Sequence, residues 1–344
     1  MASKNILRVA IIGTGFGAVH ARAYNKHPRV ELVAVAGRDA KKTKAFAKEH
    51  GIAAAYSDWR EMLATERLDA ISIVTPNALH EEMSIAALQA GCHVLCEKPL
   101  APTAKAAKRI IRAAKSARKQ LAVNFPFRFD PCLCEVKRLI DSGALGRIYY
   151  LKSRWLRPRG LPTGWFSEAA QSGGGALLDI GVHRLDVLMW LLGRPKVESV
   201  NAVTHNALGK RLAGKRFDVE DMAALFIRLK GGAAAQFEAA WACNAMTHDR
   251  MEREIFGEKG GIVHFNYSEE GYELHVFDGS GANVREVPPR IQRAPFDPTL
   301  SVRAFADALL AGTPAPSSPA DALAGIEIIE AAYKSARTGK EVRM

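Results

Sequence analysis

The sequence predicts an α/β protein of two domains, a doubly wound parallel sheet over residues 1–124 and an α+β domain with a largely antiparallel open sheet over residues 125–344. Three observations lead to this fold class. Apolar runs typical of strands alternate with helical patterns throughout the first 124 residues. The later runs are strand-like, and two pairs of them are separated by paired glycines. The length of 344 residues suits two domains at roughly 150 residues each.

The first domain opens with the apolar run 6–12, which is nearly continuous, as strands buried on both faces of a parallel sheet are. Five more strands are predicted at 30–36, 53–56, 70–74, 93–96 and 121–124. The predicted helices between them are 16–27, 40–49, 59–64, 79–90 and 103–119. Strands joined through helices form a parallel sheet with right-handed crossovers.

The turn after the first strand contains the pattern G-x-G-x-x-A, formed by Gly13, Gly15, Phe16, Gly17 and Ala18. Gly13 allows a tight turn, Gly15 lets the backbone approach a pyrophosphate, and Ala18 lets the helix pack closely on the sheet. The free N–H groups and the dipole at the helix N-terminus favour the anion. Because the pattern follows a strand and opens a helix, it predicts a dinucleotide site.

The end of the second strand bears on which dinucleotide is bound. An NAD site usually has a carboxylate here that holds the ribose 2′-hydroxyl, but this sequence has Gly37 followed by Arg38. A guanidinium at this place suits the 2′-phosphate of NADP. Asp39, one residue further on, keeps NAD possible. The sequence therefore favours NADP and leaves NAD open.

The second domain begins with a helix at 130–143 and a strand at 148–155, and a helix is predicted at 176–192 after three glycines. Strands are predicted at 197–205, 219–230, 233–241, 250–257, 262–267, 273–277 and 284–287, followed by helices at 300–311 and 319–337. Gly231-Gly232 and Gly260-Gly261 lie between neighbouring runs, as hairpin turns would. Short connections of this kind predict a largely antiparallel sheet.

Composition and charge exclude several classes of protein. Apolar residues make up 48% of the chain, which rules out intrinsic disorder for its bulk. No apolar stretch reaches the roughly 18 residues of a membrane span, and no signal peptide is predicted at the N-terminus. The five cysteines are an odd number and indicate reduced thiols in a cytoplasmic protein. Cys132 and Cys134 have no matching second pair, so no metal site is predicted.

Four segments together resemble the glucose–fructose oxidoreductase/inositol dehydrogenase (Gfo/Idh/MocA) family along nearly the whole chain. They are the glycine turn, the segment Thr75-Pro76-Asn77 with His80, the segment Glu97-Lys98-Pro99-Leu100, and residues 174–183 with the sequence GGALLDIGVH. The resemblance implies a Rossmann domain and an oxidoreductase that uses a nicotinamide dinucleotide on a sugar, cyclitol or related compound. It maps the family's lysine onto Lys98, and its aspartate and histidine onto Asp179 and His183.

The chemistry of these residue types agrees with the resemblance. Lys98 follows the fifth strand and so lies at the carboxyl edge of the sheet, where open α/β folds bind ligands. Hydride transfer from a carbinol needs a group that takes the hydroxyl proton, and a lysine does this when burial and a nearby positive charge lower its pKa. Asp179 and His183 are four residues apart, so an α-helix places them on one face, which continues through Asp186. The carboxylate can then fix the imidazole tautomer.

Other polar residues near these segments have open roles. The backbone of Thr75, Pro76 and Asn77 can flank the cofactor. Glu97 either orients Lys98 or the nicotinamide carboxamide, or is a structural anion, and Arg128 is either structural or a substrate contact. A basic cluster before Trp165 either binds an acidic substrate or is solvated, and it consists of Arg154, Arg157 and Arg159.

Two other functions have to be weighed against the enzyme. The net charge is +12, and helix 103–119 carries a stripe of basic residues that a nucleic acid could use. The stripe lacks interleaved aromatic residues, so a solvated outer face is the better interpretation and no nucleic-acid partner is predicted. A regulator that binds the cofactor without turnover is the second alternative, against which Lys98 and His183 argue.

The sequence also predicts a homo-oligomer, a dimer or tetramer. On the predicted strand 219–230, Ala224 and Phe226 alternate with Leu225 and Ile227, so both faces of the strand are apolar. Two apolar faces exceed what a monomer with one wet sheet face needs. The resemblance implies that the contact runs through this sheet.

Overall fold

A computed structural model describes residues 6–213, 217–266 and 271–344. The chain divides into two compact units. The first consists of the residues up to Pro126 together with Pro298–Leu323, and the second of Phe127–Asp297 with Ala324–Met344. The predicted boundary at 124/125 lies close to the first crossing. Residues 298–323, which the sequence prediction assigned to the second domain, group with the first unit.

The first unit contains a six-stranded parallel sheet. Its strands are β1 (Leu7–Ile12), β2 (Val30–Ala36), β3 (Ala54–Tyr56), β4 (Ala70–Ile73), β5 (His93–Cys96) and β6 (Leu121–Val123), in the order β3-β2-β1-β4-β5-β6. The chain builds outward from β1 in one direction and then from β4 in the other. The neighbouring strands β1 and β4 therefore form the topological switch point, where such sheets bind ligands outside the carboxyl ends of their strands.

Five helices precede the end of this sheet: α1 (Gly17–Asn25), α2 (Ala40–His50), α3 (Trp59–Thr65), α4 (His80–Gln89) and α5 (Ala104–Ala117). The predicted basic stripe on α5 is exposed at Lys105, Lys108, Arg112 and Lys115. Arg109 in the same stripe binds Glu81 of α4 through two nitrogens. The opposite face of α5 is buried. The stripe is thus the outer surface of an amphipathic helix.

The second unit contains the other sheet and most of the other helices. Its strands are β7 (Ile148–Leu156), β8 (Val197–His205), β9 (Met222–Leu229), β10 (Ala234–Ala240), β11 (Arg250–Gly257), β12 (Gly260–Asn266), β13 (Gly271–Asp278), β14 (Arg285–Val287), β15 (Arg293–Pro295) and β16 (Val342–Arg343). The order is β14-β13-β12-β11-β7-β10-β9-β8-β16, and β15 also pairs with β13. All described pairs are antiparallel except β7 with β10. The predicted fold class is confirmed.

The later helices are α6 (Pro131–Asp141), α7 (Ala169–Ser172), α8 (Val182–Leu191), α9 (Gly209–Leu212), α10 (Thr299–Ala311) and α11 (Pro319–Thr338). Val302 and Phe305 of α10 are buried in the same apolar cluster as Tyr24 of α1. This burial explains why α10 belongs to the first unit. None of the helices in the described ranges has the length and apolarity needed to cross a lipid bilayer.

Three sequence predictions need correction or comment. Gly231 and Gly232 have φ of +98° and +88° and form the predicted turn between β9 and β10. Gly260 and Gly261 instead lie inside β12, where a Cβ on Gly260 would come 2.5 Å from the Phe277 carbonyl oxygen, so a close backbone approach requires this glycine. Tyr267, the last residue of the predicted strand 262–267, lies outside the described residues.

The helix predicted at 176–192 is two different segments. Leu177–Gly181 forms a π-helical turn, and the α-helix α8 begins only at Val182. Asp179 lies in the π-helical turn and His183 in α8. The prediction that one α-helix places both residues on the same face is therefore wrong. Single π-helical turns within helices occur frequently at functional sites.

Candidate active site

The glycine turn has the geometry that a dinucleotide needs. Gly13 has φ of +112°, and a Cβ there would lie 1.9 Å from the Val74 carbonyl oxygen, so only glycine fits. A Cβ on Gly15 would meet no atom within 4 Å, which leaves its side of the turn open. Gly17 begins α1, and Phe16 before it is half exposed. The first turn of α1 has no acidic residue that would repel a pyrophosphate.

The end of β2 is followed by Gly37, Arg38 and Asp39. Gly37 lies beside the Thr43 hydroxyl, which donates to the Gly37 carbonyl at 3.1 Å. Arg38 and Asp39 are exposed. The Asp39 carboxylate caps α2 by accepting from the Lys42 N–H at 3.1 Å, and no ion pair with Arg38 occurs within the described ranges. The Asp39 carboxylate is thus already used by the backbone of α2.

The segment after β4 is fixed by a buried histidine. His80 is fully buried, and its ring nitrogens lie 2.8 Å from the Pro99 carbonyl oxygen and 2.9 Å from the Thr75 carbonyl oxygen. Burial lowers the pKa of His80 despite these carbonyl contacts. His80 therefore ties the loop containing Thr75, Pro76 and Asn77 to the loop that follows Lys98.

Glu97 is a buried carboxylate immediately before Lys98. Its Oε1 accepts from Asn124 Nδ2 at 2.6 Å and lies 2.8 Å from His20 Nε2, and its Oε2 accepts from the Lys98 N–H at 3.3 Å. Burial by itself would raise the pKa of Glu97. The hydrogen bonds from His20 and Asn124 and the charge of Lys98 outweigh burial, so the pKa is lowered overall. Glu97 is therefore an ionised, fixed anion at neutral pH.

The partners of Glu97 belong to a longer buried chain of hydrogen bonds. Because an ionised carboxylate only accepts, His20 Nε2 donates to Glu97, and His20 Nδ1 lies 2.9 Å from the Ser72 hydroxyl oxygen. The Tyr24 hydroxyl lies 2.6 Å from Ser72 Oγ. On the other side, Ser301 of α10 donates to Asn124 Oδ1 at 2.6 Å. His20, Tyr24, Ser72 and Ser301 were not predicted from the sequence, because no local motif marks them.

Lys98 lies directly after β5, and its side chain is half-buried. The segments that follow β1, β2, β4 and β5 all leave the same edge of the parallel sheet, because parallel strands end on one side. The glycine turn, Gly37, Thr75 and Lys98 therefore share this edge. The structure thus brings these residues, which the sequence analysis proposed for cofactor binding, to one edge of the sheet.

In the second unit, Asp179 lies on the π-helical turn and accepts a hydrogen bond from Trp241 Nε1 at 2.9 Å. Trp241 is fully buried. Tryptophan offers only a donor, so this contact fixes one carboxylate oxygen of Asp179 in place. Trp241 was not predictable as a partner of Asp179, because it follows β10, more than sixty residues further along the chain.

His183 is in the first turn of α8 and is enclosed by aromatic rings. The ring of Phe127 lies 5.2 Å from His183 between centroids, edge to face, and the ring of Trp155 lies at 6.2 Å. Asp186, on the next turn, is held by a buried bidentate contact with Arg128, whose Nε is 2.9 Å from Oδ2. Of the two roles left open for Arg128, the structure shows a structural one.

Glu220 holds the start of the segment that carries Asp179 and His183. Its carboxylate accepts from the Gly175 and Leu177 N–H groups, both at 2.9 Å, and its carbonyl accepts from Ala176 N–H at 3.1 Å. The Tyr333 hydroxyl donates to the same carboxylate at 2.9 Å. Burial raises the pKa of Glu220 against these hydrogen bonds. An acceptor at this position satisfies the free N–H groups of the helical start.

Gly174 and Gly175, which precede the helical segment, allow Glu220 and Tyr333 to pack closely against it. A Cβ on Gly174 would lie 2.2 Å from the Tyr333 hydroxyl oxygen, and one on Gly175 would lie 1.8 Å from the Glu220 carbonyl oxygen. The glycine run that the sequence analysis noticed is therefore a packing requirement. A role for the Glu220 carboxylate could have been inferred from the sequence, because Glu220 and Asp221 are two acidic residues at the start of an apolar run.

The three arginines whose role the sequence left open have partners inside the second unit. Arg154 binds Glu252 through Nε at 2.7 Å, and Arg157 lies 3.3 Å from an oxygen of Asp249. Arg159 donates to the Cys243 carbonyl oxygen at 3.0 Å. These contacts give each arginine a structural role.

The residues of the first unit fit a dinucleotide. The turn at Gly13 is open beside Gly15, α1 presents its N-terminus there, and Lys98 lies at the same sheet edge. The site offers an anion cradle, a fixed carboxylate and an amine, which suits binding of the cofactor and proton transfer beside it.

Comparison with known proteins agrees with this geometry. Residues 7–125 match the family described as "Oxidoreductase family, NAD-binding Rossmann fold". Residues 137–344 match "Oxidoreductase family, C-terminal alpha/beta domain". The two matches cover most of the chain, in the same order as the two predicted domains.

Individual proteins resemble the chain over its full length. D-glucoside 3-dehydrogenase of Escherichia coli (strain K12) is 34% identical over 354 aligned positions, which cover 98% of this chain and 97% of the relative. A levoglucosan dehydrogenase in complex with NADH and levoglucosan superposes with a TM-score of 0.87 at 28% identity, covering 98% and 99% of the two chains. GenD2 from gentamicin A biosynthesis, in complex with NAD, gives 0.85 at 30% identity, covering 99% and 97%. The chain therefore belongs to the Gfo/Idh/MocA family and is an NAD(P)-dependent oxidoreductase.

Proposed function

We propose that this protein oxidises a hydroxyl group of a sugar, cyclitol or related polyol, or reduces the corresponding carbonyl, with Lys98 as the group that exchanges the hydroxyl proton. The resemblance to D-glucoside 3-dehydrogenase and to levoglucosan dehydrogenase supports this class of substrate. The nicotinamide, when bound, supplies the hydride acceptor or donor. The residues of the chain bind and orient the reactants and move the proton.

The observation that carries the proposal is the position of Lys98 beside a fixed anion. Lys98 follows β5 at the sheet edge that also bears the glycine turn, and its own backbone N–H is held by Glu97. Glu97 in turn is held by His20 and Asn124, so the loop that bears the amine is fixed on a rigid sheet. A proton-transfer group needs such a fixed position to approach the reacting hydroxyl.

In the second unit we assign Asp179 and His183 as the other polar groups that act on the substrate. The His183 imidazole packs against the rings of Phe127 and Trp155, which also contact each other, and Asp179 has one oxygen fixed by Trp241. An imidazole in a fixed orientation can donate to or accept from a substrate hydroxyl. Glu220 is a positioning residue for both, because it holds the start of their segment.

For Lys98→Ala we expect kcat on a sugar or polyol substrate to fall by roughly 10²–10⁴-fold, the usual contribution of a positioned acid–base group. The dissociation constant of the dinucleotide should change little, because proton transfer matters mainly in the transition state. A screen of sugars, inositols and keto-sugars with both cofactors, followed by nicotinamide absorbance, supplies the substrate. Lys105→Ala, an exposed lysine of α5, is the control and should keep full activity. Unchanged turnover in Lys98→Ala would exclude the proposed role.

For Glu220→Gln we expect kcat to fall by about tenfold while the dissociation constant of the dinucleotide stays the same. The amide has one acceptor oxygen and brings two donors toward the Gly175 and Leu177 N–H groups, so the start of the helical segment shifts. Tyr333→Phe, which removes only one donor to the carboxylate, should have a smaller effect on kcat. Equal losses in binding and turnover would indicate general unfolding in place of a positioning role.

We further propose that NADP is the preferred cofactor and that NAD is also used. The support is the exposed guanidinium of Arg38 at the end of β2, where Gly37 offers no carboxylate and Asp39 caps α2. A charged hydrogen bond to the 2′-phosphate contributes about 1.5–3 kcal/mol, which corresponds to about ten- to a hundredfold in affinity. Two structural relatives are named as complexes with NADH or NAD, which keeps NAD as the fallback.

Titration of both cofactors tests this choice. The wild type should bind NADP about ten- to a hundredfold more tightly than NAD, and Arg38→Ala should remove most of that preference. Lys44→Ala removes an exposed positive charge from α2 and should leave the ratio unchanged. Equal affinities in the wild type, or an unaltered ratio in Arg38→Ala, would show that Arg38 does not bind the 2′-phosphate.

We propose that the protein is a homodimer or homotetramer assembled through the open face of the second sheet. Leu225 and Ile227 of β9 are buried, whereas Phe226 between them is 38% exposed, and Val203 on β8 is 50% exposed. Phe226→Glu should therefore reduce the assembled mass in sedimentation experiments at micromolar concentration, while Arg228→Glu on the same strand should reduce it less. A monomeric wild type would overturn the proposal.

We also propose that the protein works in the cytoplasm. All five cysteines are free thiols, and Cys92, Cys96 and Cys132 are buried. Buried free thiols suit a reducing compartment.

A further inference from the structure

A group of charged side chains lies in the interior of the second unit and takes no part in the proposed reaction. We call it the buried charged cluster, and its members are Asp130, Arg184, Arg253 and His264, each at most 2% exposed. Asp130 precedes α6 as its N-cap, and Arg184 is on α8. Arg253 on β11 and His264 on β12 are directly opposed in the strand register. Two helices and two strands therefore contribute to one buried polar group.

Only some of the polar atoms in the cluster are satisfied. Arg253 Nη1 lies 3.2 Å from His264 Nδ1, and Arg184 Nη2 donates to the Arg154 carbonyl oxygen at 3.0 Å. Asp130 Oδ1 accepts from the Leu133 N–H at 2.9 Å. Because the guanidinium only donates, His264 Nδ1 must accept, and the proton of the neutral imidazole is then on Nε2.

The atoms that remain are almost all donors. Among the described residues no hydrogen-bond partner is found for Arg184 Nε and Nη1, Arg253 Nε and Nη2, His264 Nε2 and Asp130 Oδ2, and His264 Nε2 lies 3.8 Å from Asp130 Oδ1. Five of these six atoms carry N–H groups, and one is an acceptor. Water offers as many acceptors as donors, so water alone does not match such an excess of donors. An anion, which only accepts, does match it.

The balance of charge points in the same direction. The cluster holds two guanidinium groups against one carboxylate, and arginine stays protonated in proteins even when buried. Burial lowers the pKa of Arg253 to about 10, and burial and the charge of Arg253 lower that of Arg184. The rings of Trp155 and Phe127 lie 5.8 and 6.0 Å from the Arg184 guanidinium and offset only part of this cost. An uncompensated buried charge is strongly unfavourable.

A metal ion is the other occupant to weigh, because ligand atoms of Asp130, Cys132 and His264 all lie within 4.8 Å of one another. Three features argue against a cation. His264 Nδ1 is turned toward the Arg253 guanidinium, the guanidinium groups repel a positive ion, and burial raises the pKa of the Cys132 thiol to about 12. A protonated thiol is a poor metal ligand.

We propose that the buried charged cluster binds one small inorganic anion of halide type, chloride in the cell, between the two guanidinium groups and His264 Nε2. This site lies beyond the proposed oxidoreductase function, and its ligand is structural. The anion neutralises the excess positive charge and accepts the N–H groups that the protein leaves without partners. It thereby stabilises the packing of α6 and α8 on the inner face of β11 and β12.

Anomalous diffraction tests the site directly. The intact protein is purified and crystallised with sodium bromide as the sole halide, and data are collected at the bromine absorption edge. We expect an anomalous peak in contact with nitrogens of Arg184 and Arg253. A peak elsewhere only, or ordered water without anomalous signal at the cluster, would overturn the proposal.

Thermal unfolding at constant ionic strength gives a second readout that is independent of activity. When gluconate is replaced by chloride or bromide, Tm of the wild type should rise by roughly 2 °C per tenfold increase in halide once the site is mostly filled. Arg253→Met should lose this dependence, whereas Arg250→Met, an exposed arginine on the same strand, should retain it. A wild-type Tm that does not change with halide concentration, or the same change of Tm in Arg253→Met as in the wild type, would contradict the proposal. Should Arg253→Met not fold, the bromide crystal decides alone.

Discussion

The ionised carboxylate of Glu97 is the constraint on which the site of the first unit depends. A buried charge is tolerated only when its partners are fixed, and here His20, Asn124 and the Lys98 backbone provide them. These partners come from α1, from the end of β6 and from the loop after β5. Loss of one of these donors leaves the buried charge less well stabilised, at a cost of about 1–3 kcal/mol. The same contacts that stabilise the charge therefore fix the loop that carries the amine.

In the second unit, too, a hydrogen-bonded carboxylate fixes the segment that carries polar site residues. Glu220 collects three donors, from the Gly175 and Leu177 N–H groups and from Tyr333, and so fixes the helical start that bears Asp179 and His183. Burial raises the pKa of Glu220, whereas the pKa of Glu97 is lowered overall because the hydrogen bonds from His20 and Asn124 and the nearby charge of Lys98 outweigh burial. In both units a buried carboxylate, and not a loop alone, sets the position of the polar groups.

A large part of the fold was predictable because it follows from local pattern. The run before Gly13, the turn itself and the position of Lys98 after β5 are local features, and parallel strands necessarily end at one edge. Other features depended on packing that no local pattern contains. A π-helical turn at Leu177–Gly181 lies where the sequence predicts a continuous α-helix, and the glycines before it, Gly174 and Gly175, pack against Tyr333 and Glu220, far away in the sequence. Gly260 was expected in a turn but lies in β12, where the backbone of Phe277 comes so close that only glycine fits.

The sequence by itself determined the fold class, the dinucleotide turn and the residue types of the site, because periodicity, glycine placement and strand ends are properties of short segments. Only the tertiary structure decided which buried groups satisfy one another. The return of α10 to the first unit, with Ser301 bonded to Asn124, is one such case. The hydrogen bond from Trp241 Nε1 to Asp179 is another. These partners are separated by tens to hundreds of residues, and burial, which makes their hydrogen bonds obligatory, exists only in the folded chain.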